Sequence, residues 1–398
     1  MSLRWLALPL IAVAIAVPAS AQEPEPPLPG HNGSIAFSSD RGSEGTGRFR
    51  LFRLEPVGAA VTPLGVTGRD PAWSPDGSLI AFVQDRFKLV IARANGLRVG
   101  VVESDYPLSD PAWSPDGSRI VAAQEIGRRF RSDLALADVS RGGFIRLTRT
   151  ADDDTEPTWS PDGRWITFVS DRAPEPGAGD TEVYHLRPNG RELRRITTND
   201  YDDRSPEWSP DGTRIAFVSG REPGRFSSEL WTMGPFGALE SRVQATAQPE
   251  WWGLHTWSDG SPAWSPDGRW LAYVTTERWG WDDIFIVEVD SGAKFDLTPE
   301  ASSFDLEPAW QPVCHIAGRE IGDVLRGGTF DDLMCGFDSR DTLVGGPGRD
   351  RLFGGFDNDT IRARDGERDI VGCGPGADVV YADRLDLVGV DCERIRRR

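Results

Sequence analysis

Five aspartates recur with a strict period of nine: Asp323, Asp332, Asp341, Asp350 and Asp359. Two positions after each comes an apolar residue, namely Leu325, Met334, Leu343, Leu352 and Ile361. After a one-residue slip the pattern resumes as Asp369 with Val371 and Asp378 with Val380, and the pairs Gly327-Gly328, Gly345-Gly346 and Gly354-Gly355 precede several of these aspartates. Glycine permits a tight turn with accessible carbonyls, Asp supplies an anionic oxygen, and the apolar residue points inward from a short strand. Stacked turns bring carboxylates close together, and like charges so placed repel unless a hard cation lies between them. Calcium, which accepts six to eight oxygens, fits that requirement. The candidate ligands are Asp323, Asp332, Asp341, Asp350, Asp359 and Asp378, with Ca²⁺ as the cofactor. The competing reading is a metal-free solenoid whose aspartates only cap turns. Asp331, Asp338 and Asp357 read as solvated acids.

Other chemistry is sparse. Four cysteines, Cys314, Cys335, Cys373 and Cys392, lie in the last quarter of the chain without a CxxC pair. That favours disulfides over zinc. Of the three possible pairings, Cys314–Cys335 and Cys373–Cys392 close loops of about twenty residues, each worth roughly 3 kcal/mol through the unfolded chain. The four histidines, His31, His185, His255 and His315, are isolated, and no HExxH, GxSxG, GK[ST] or GxGxxG-helix pattern is present. No catalytic residue is assigned. One surface remains. Asp154, Asp203, Asp259 and Asp305 each stand five residues before a repeated tryptophan, and Arg41, Arg86, Arg172, Arg221 and Arg278 follow the neighbouring strands. These charges form either structural Asp–Arg pairs around a rim or the mouth of a ligand-binding channel. Trp251, Trp252, Trp257, Trp279 and Trp281 fall in loops on the same side. They read equally as partner or sugar platforms and as mutual packing that orders long loops.

The elements that position these residues come from a second repeat. DPAWSPDGSLIAF (Asp70–Phe82) returns at Asp110–Ala122, Glu156–Phe168, Ser205–Phe217 and Ser261–Tyr273, with a truncated EPAWQPV at Glu307–Val313. The Pro-x-Trp segment reads as a strand, Ser-Pro-Asp-Gly as a turn with Gly in the left-handed position, and Ile-Ala-Phe as the partner strand. Two further alternating segments per unit make a four-stranded propeller blade. Six repeated Trp strands and six Ile-Ala-Phe strands are out of step. Gly33–Arg41 lacks a preceding Trp arm, and Trp310 lacks a following partner. Pairing the Trp310 strand with the Ile35 strand closes a ring of six blades. The expected fold is all-β: a six-bladed propeller closed by its terminal strands, then a small parallel β-roll.

The motif PxWSPDGxxIAF resembles the repeat of TolB-type periplasmic propellers, also found in propellers of prolyl oligopeptidase-like peptidases. The nonapeptides over about 318–381 resemble the RTX calcium-binding repeat GGxGxDxUx, with copies 318–326 and 336–344 departing from its glycines. About a dozen residues separate Ala21 from Gly33, and no stretch of peptidase-domain length follows. Neither TolB's nor a peptidase's specific activity is therefore expected.

Residues 1–21 read as a cleavable signal peptide: Arg4, the apolar run Leu6–Val17, then Ala19-Ser20-Ala21. A linker at 22–32 leads to the propeller at 33–313 and the disulfide-bonded, capped roll at 314–398. No stretch is apolar enough to span a bilayer. A net charge of −18 makes nucleic acid a poor partner. The chain reads as a secreted or periplasmic calcium-binding, non-catalytic propeller that offers a loop face to a protein or polysaccharide of the envelope or extracellular space. The alternatives are a propeller enzyme, either a glycan lyase or hydrolase or a peptidase-like one, working at the channel mouth, or a purely structural envelope protein.

Overall fold

A computed structural model describes residues 32–42, 48–56, 60–126, 131–172, 180–221, 229–243, 260–278, 281–299, 303–318 and 322–398. All regular structure among these residues is strand. Six four-stranded antiparallel sheets form the propeller, and two five-stranded parallel sheets form the roll. In every blade the Trp strand is innermost, and the six Trp strands contact one another in ring order.

The ring closes as the repeat counts require. Asp305–Trp310 joins the sheet of Ile35–Ser39, Arg50–Glu55 and Ala60–Thr67, with Ile35 opposite Trp310 and Ser39 opposite Asp305. The indole of each of several repeated tryptophans stitches its blade to a neighbour. Trp113 donates to the Ala72 carbonyl (3.1 Å), Trp264 to that of Glu207 (3.1 Å) and Trp208 to the Thr167 hydroxyl (2.7 Å). Between blades lie apolar clusters such as Ile35, Phe37, Trp270, Ile284 and Trp310. Both faces of each sheet must be covered, so the strands are apolar almost throughout. The Ser-Pro-Asp-Gly turns behave as the sequence implies. Gly77, Gly117, Gly163, Gly212 and Gly268 all have φ between 66° and 72°, and the Asp carboxylate accepts from the preceding Ser and from the amide after the Gly.

The roll winds with two strands per coil. Val324–Arg326, Thr342–Val344, Thr360–Ala363, Val379–Ala382 and Arg394–Arg397 form one sheet; Ile316–Ala317, Leu333–Cys335, Arg351–Phe353, Ile370–Gly372 and Leu387–Val388 form the other. Successive nonapeptides thus alternate between sheets, and the stacking interval is eighteen residues, or nineteen across the slip. Met334, Leu343, Leu352, Ile361, Val371 and Val380 fill the space between the sheets. Cys314 is bonded to Cys335 and Cys373 to Cys392.

Candidate metal centre and propeller channel

In the roll the period-nine aspartates sort into two columns. Oδ1 of each accepts the backbone amide of the aspartate one coil earlier. Asp323 N donates to Asp341 (2.6 Å), Asp341 N to Asp359 (2.8 Å) and Asp359 N to Asp378 (2.7 Å). On the other edge Asp332 N donates to Asp350 (3.0 Å), Asp350 N to Asp369 (2.9 Å) and Asp369 N to Asp386 (3.1 Å). The second oxygens differ sharply. Oδ2 of Asp341, Asp350, Asp359, Asp369 and Asp378 is buried with no hydrogen-bond partner among the described residues, and all five residues are at most 1% exposed. Asp332 does find a partner for Oδ2, the Gly328 amide at 2.6 Å. Asp323 is only half-buried.

The glycines keep open the space beside these orphan oxygens. A Cβ at Gly336 would lie 2.7 Å from Oδ2 of Asp341, and one at Gly354 would lie 2.6 Å from Oδ2 of Asp359. Burial, the dominant cause, pushes the carboxyl pKa values of Asp350 and Asp378 up to about 6, Asp359 to about 7 and Asp369 to about 8. The donated amides act in the opposite direction, and neighbouring carboxylates add to the rise for all four. Asp365, exposed, brings an oxygen within 4.8 Å of those of Asp350 and Asp369. The sequence reading omitted Asp365 and Asp369 as ligands. The one-residue slip was the signal that the second column continues through Asp369.

In the propeller the rim aspartates are engaged. Asp154, Asp203 and Asp305 are 0% exposed. Asp154 is held by Arg172 and by the Ser170 hydroxyl (2.7 Å). Asp203 is held by Arg221 (2.8 Å) and the Asn199 amide (2.7 Å), and Asp305 by Arg41, whose Nε donates at 3.0 Å. Burial raises the Asp154 pKa against the opposing pull of Arg172. These carboxylates are committed to their own blades and leave no oxygen free for a ligand at the mouth. Asp259, Trp251, Trp252, Trp257 and Trp279 lie outside the described residues. Trp281 begins a described strand, Trp281–Glu288, whose first side chain is not described.

The channel itself is lined by a different set. Asp70, Asp110, Glu156, Ser205, Ser261 and Glu307, each three residues before a repeated Trp, have φ between 48° and 57° at a bulge in the Trp strand. A non-glycine residue there costs about 1–2 kcal/mol, so six in register mark an imposed geometry. The bulge links blades. Asp70 N donates to Glu307 (2.7 Å), Asp110 N to Asp70 (3.3 Å) and Ser205 N to Glu156 (2.5 Å). Burial and mutual repulsion raise the pKa of Asp70 well above the usual range and that of Asp110 to about 7; burial alone takes Glu207 to about 7. No sequence reading singled these residues out for the channel, although the acid before each Pro-x-Trp was visible. His185 is a core residue. It is stacked between Trp165 and Trp208, and burial lowers its pKa to about 4.

Comparison with known proteins agrees with both halves. Residues 69–234 match the family model of the TolB beta propeller domain, and residues 336–368 match four copies of the RTX calcium-binding nonapeptide repeat. The chain carries a TolB-type propeller and RTX repeats. Among solved structures, TolB from Acinetobacter baumannii superposes with a TM-score of 0.59 at 24% identity, covering 70% of this chain and 67% of that one. Hydrazine synthase from Kuenenia stuttgartiensis gives 0.54 at 16%, covering 71% and 47%. The uncharacterized peptidase YuxL of Bacillus subtilis is 33% identical over 69 residues, which span 17% of this chain and 10% of that protein. The uncharacterized protein Atu1656 of Agrobacterium fabrum is 35% identical over 65 residues, 16% of this chain and 20% of that protein. These matches therefore span a fifth or less of those relatives' length.

The residues of the RTX repeats fit calcium on their own geometry. A hard cation needs anionic oxygens without hydrogen-bond partners, in a space that no side chain fills. The Oδ2 atoms of Asp341, Asp350, Asp359, Asp369 and Asp378 meet the first condition, and those of Asp341, Asp350 and Asp359 also lie beside a glycine whose missing side chain leaves the space open. Those five residues would hold the ions, whereas Asp332 has its Oδ2 taken by the Gly328 amide.

Proposed function

We propose that this is an exported, calcium-stabilised binding protein. The RTX roll is a metal-hardened platform on one face of the TolB-type propeller, and the opposite loop face recognises a protein or glycan. The observation that carries the calcium half is the set of five buried, unpartnered carboxylate oxygens repeated coil by coil. In a metal-free state each would leave a desolvated anion uncompensated.

The roll docks against the Ser-Pro-Asp-Gly side of the ring, where Arg368 donates to the Asp162 carbonyl (2.6 Å) and Arg93 pairs twice with Asp338 (2.9 and 3.1 Å). Among the described residues, the loops of the other face carry the aromatics Phe87 (43% exposed), Tyr106 (42%) and Tyr201 (40%). Exposed rings on a rigid scaffold are the usual anchors of recognition surfaces. Two disulfides and the amino-terminal signal pattern support an oxidising compartment, and among the described residues no helix is long and apolar enough to cross a membrane.

Affinity capture from envelope and culture-medium extracts, with calcium and with chelator, tests the reading. The expected result is a partner retained in calcium and lost on Phe87→Ala/Tyr106→Ala/Tyr201→Ala substitution. Equal recovery from the triple variant would count against the loop face.

A further inference from the structure

The two sheets of the roll have unlike outer faces. In both, alternate residues point into the roll core and the remainder point outward. On the sheet beginning at Val324, the outward residues are open: Val324 is 62% exposed, and Arg326 and Arg362 are exposed. On the sheet beginning at Ile316, Leu333 (9%), Cys335 (0%), Phe353 (5%) and Ile370 (9%) are buried, because the propeller covers them. The approach is close enough that Gly372 admits no side chain, its Cβ position being taken by the Asp116 carbonyl.

Between this inner sheet and the channel lies a cavity of about 1250 Å³. Its roof is the ring of Pro-x-Trp strands with Asp110, Glu156 and Glu207, and its floor includes Leu333, Arg351 and Ile370. Arg351 stands in register between Leu333 and Ile370 on that floor. It is only partly exposed, its Nε is buried without a partner, and its guanidinium makes no hydrogen bond or ion pair among the described residues. Most half-buried arginines of the protein behave otherwise: Arg41, Arg172 and Arg221 are each locked to a carboxylate. Arg349 and Arg368 of the roll and Arg164 of the propeller line the same cavity. Arg164 (3.5 Å) and Arg368 (3.7 Å) share the Asp162 carboxylate, whereas Arg351 has no such partner among the described residues. A half-buried guanidinium without a counter-charge is costly, and its planar fork matches an oxyanion.

We propose that the chamber between the propeller channel and the roll is an anion-binding site, in which Arg351 pairs with the carboxylate or phosphate group of a small organic ligand. The proline and tryptophan walls of the cavity suit the apolar body of such a ligand. The site depends on the roll being docked on the ring, and Asp332 and Asp350 of the roll border it.

The test is calorimetric titration of the calcium-saturated full chain at low ionic strength, with sulfate as the tetrahedral probe and benzoate as the carboxylate probe. The expected result is saturable binding of at least one probe. Arg351→Met should weaken it tenfold or more, Arg351→Lys about threefold, and Arg326→Met on the solvent-facing sheet not at all. If Arg351→Met does not fold, the lysine variant decides: a loss of about threefold supports the guanidinium pairing, and unchanged affinity overturns it. Absence of saturable binding by either probe, or equal binding by Arg351→Met and the wild type, also overturns it.

Discussion

Asp203 in the propeller and Asp359 in the roll are both withdrawn from solvent, 0% and 1% exposed, yet they are neutralised in opposite ways. Asp203 has its cation built in: Arg221 at 2.8 Å, with the Asn199 amide and the Ser219 hydroxyl completing the shell. Asp359 has one oxygen satisfied by the Asp341 amide and the other by nothing among the described residues. A fold that supplies its own counter-charge is independent of the medium. One that leaves the place open hands part of its stability to whatever cation the medium contains. The propeller is therefore the permanent half of the molecule and the roll the conditional half.

The largest effect that would break this contrast is removal of calcium. Each site filled at a hundred times its dissociation constant contributes about 2.7 kcal/mol, so EDTA should split the calorimetric trace. A roll transition should move down steeply and return with added calcium, while the propeller transition stays put. Identical traces with and without chelator would end the distinction. Next in size is Asp203→Asn. It removes one of the two carboxylates of Arg221 and leaves Glu240 as its ion partner, so the loss should stay below about 3–5 kcal/mol, the cost of a buried pair broken outright. Chemical denaturation should show that loss undiminished by calcium, and a loss that calcium rescued would place Asp203 in the conditional class.

How far the sequence reveals this contrast depends on what a period records. The ring closure was legible because Trp310 lacked a partner and Ile35 lacked a predecessor, and two unmatched strands of one motif have only each other. The period of nine was legible too, but not the coil of eighteen, because both sheets use the same nonapeptide and a repeat does not state how many copies make a turn. The channel carboxylates were hidden for a backbone reason. Asp70 or Glu307 looks like an ordinary strand residue until a left-handed bulge turns it inward, and nothing local in the sequence demands the bulge. Arg351 was hidden for a tertiary reason, since its isolation exists only once the roll covers the ring.

A smaller effect sharpens the comparison by its sign. Asp359→Asn keeps the Oδ1 acceptor for the Asp341 amide and removes the charge from the orphan side. In EDTA the variant should melt at the same temperature as the wild type or higher, because a buried anion is gone. In calcium it should bind the ion at least tenfold more weakly, about 1.4 kcal/mol. Paired thermal scans and a calcium titration check both signs, and a variant weaker than wild type in EDTA as well would mean the carboxylate has a protein partner.

The smallest effect lies in the propeller, at Glu207, where burial carries the carboxyl pKa from the ordinary 4.5 to about 7 against a single bond from the Thr158 hydroxyl (2.8 Å). The folded state holds this proton more tightly than the unfolded chain, so between pH 4.5 and 7 the native protein binds more protons and its stability falls as pH rises. Glu207→Gln keeps the acceptor and abolishes the titration. The melting temperature of the variant should equal that of the wild type near pH 4.5 and exceed it at pH 8, by roughly 2–4 °C for each kcal/mol relieved. Thermal scans at the two pH values decide it, and a difference that did not change with pH would show that Glu207 is neutralised by a charge of its own, as Asp203 is.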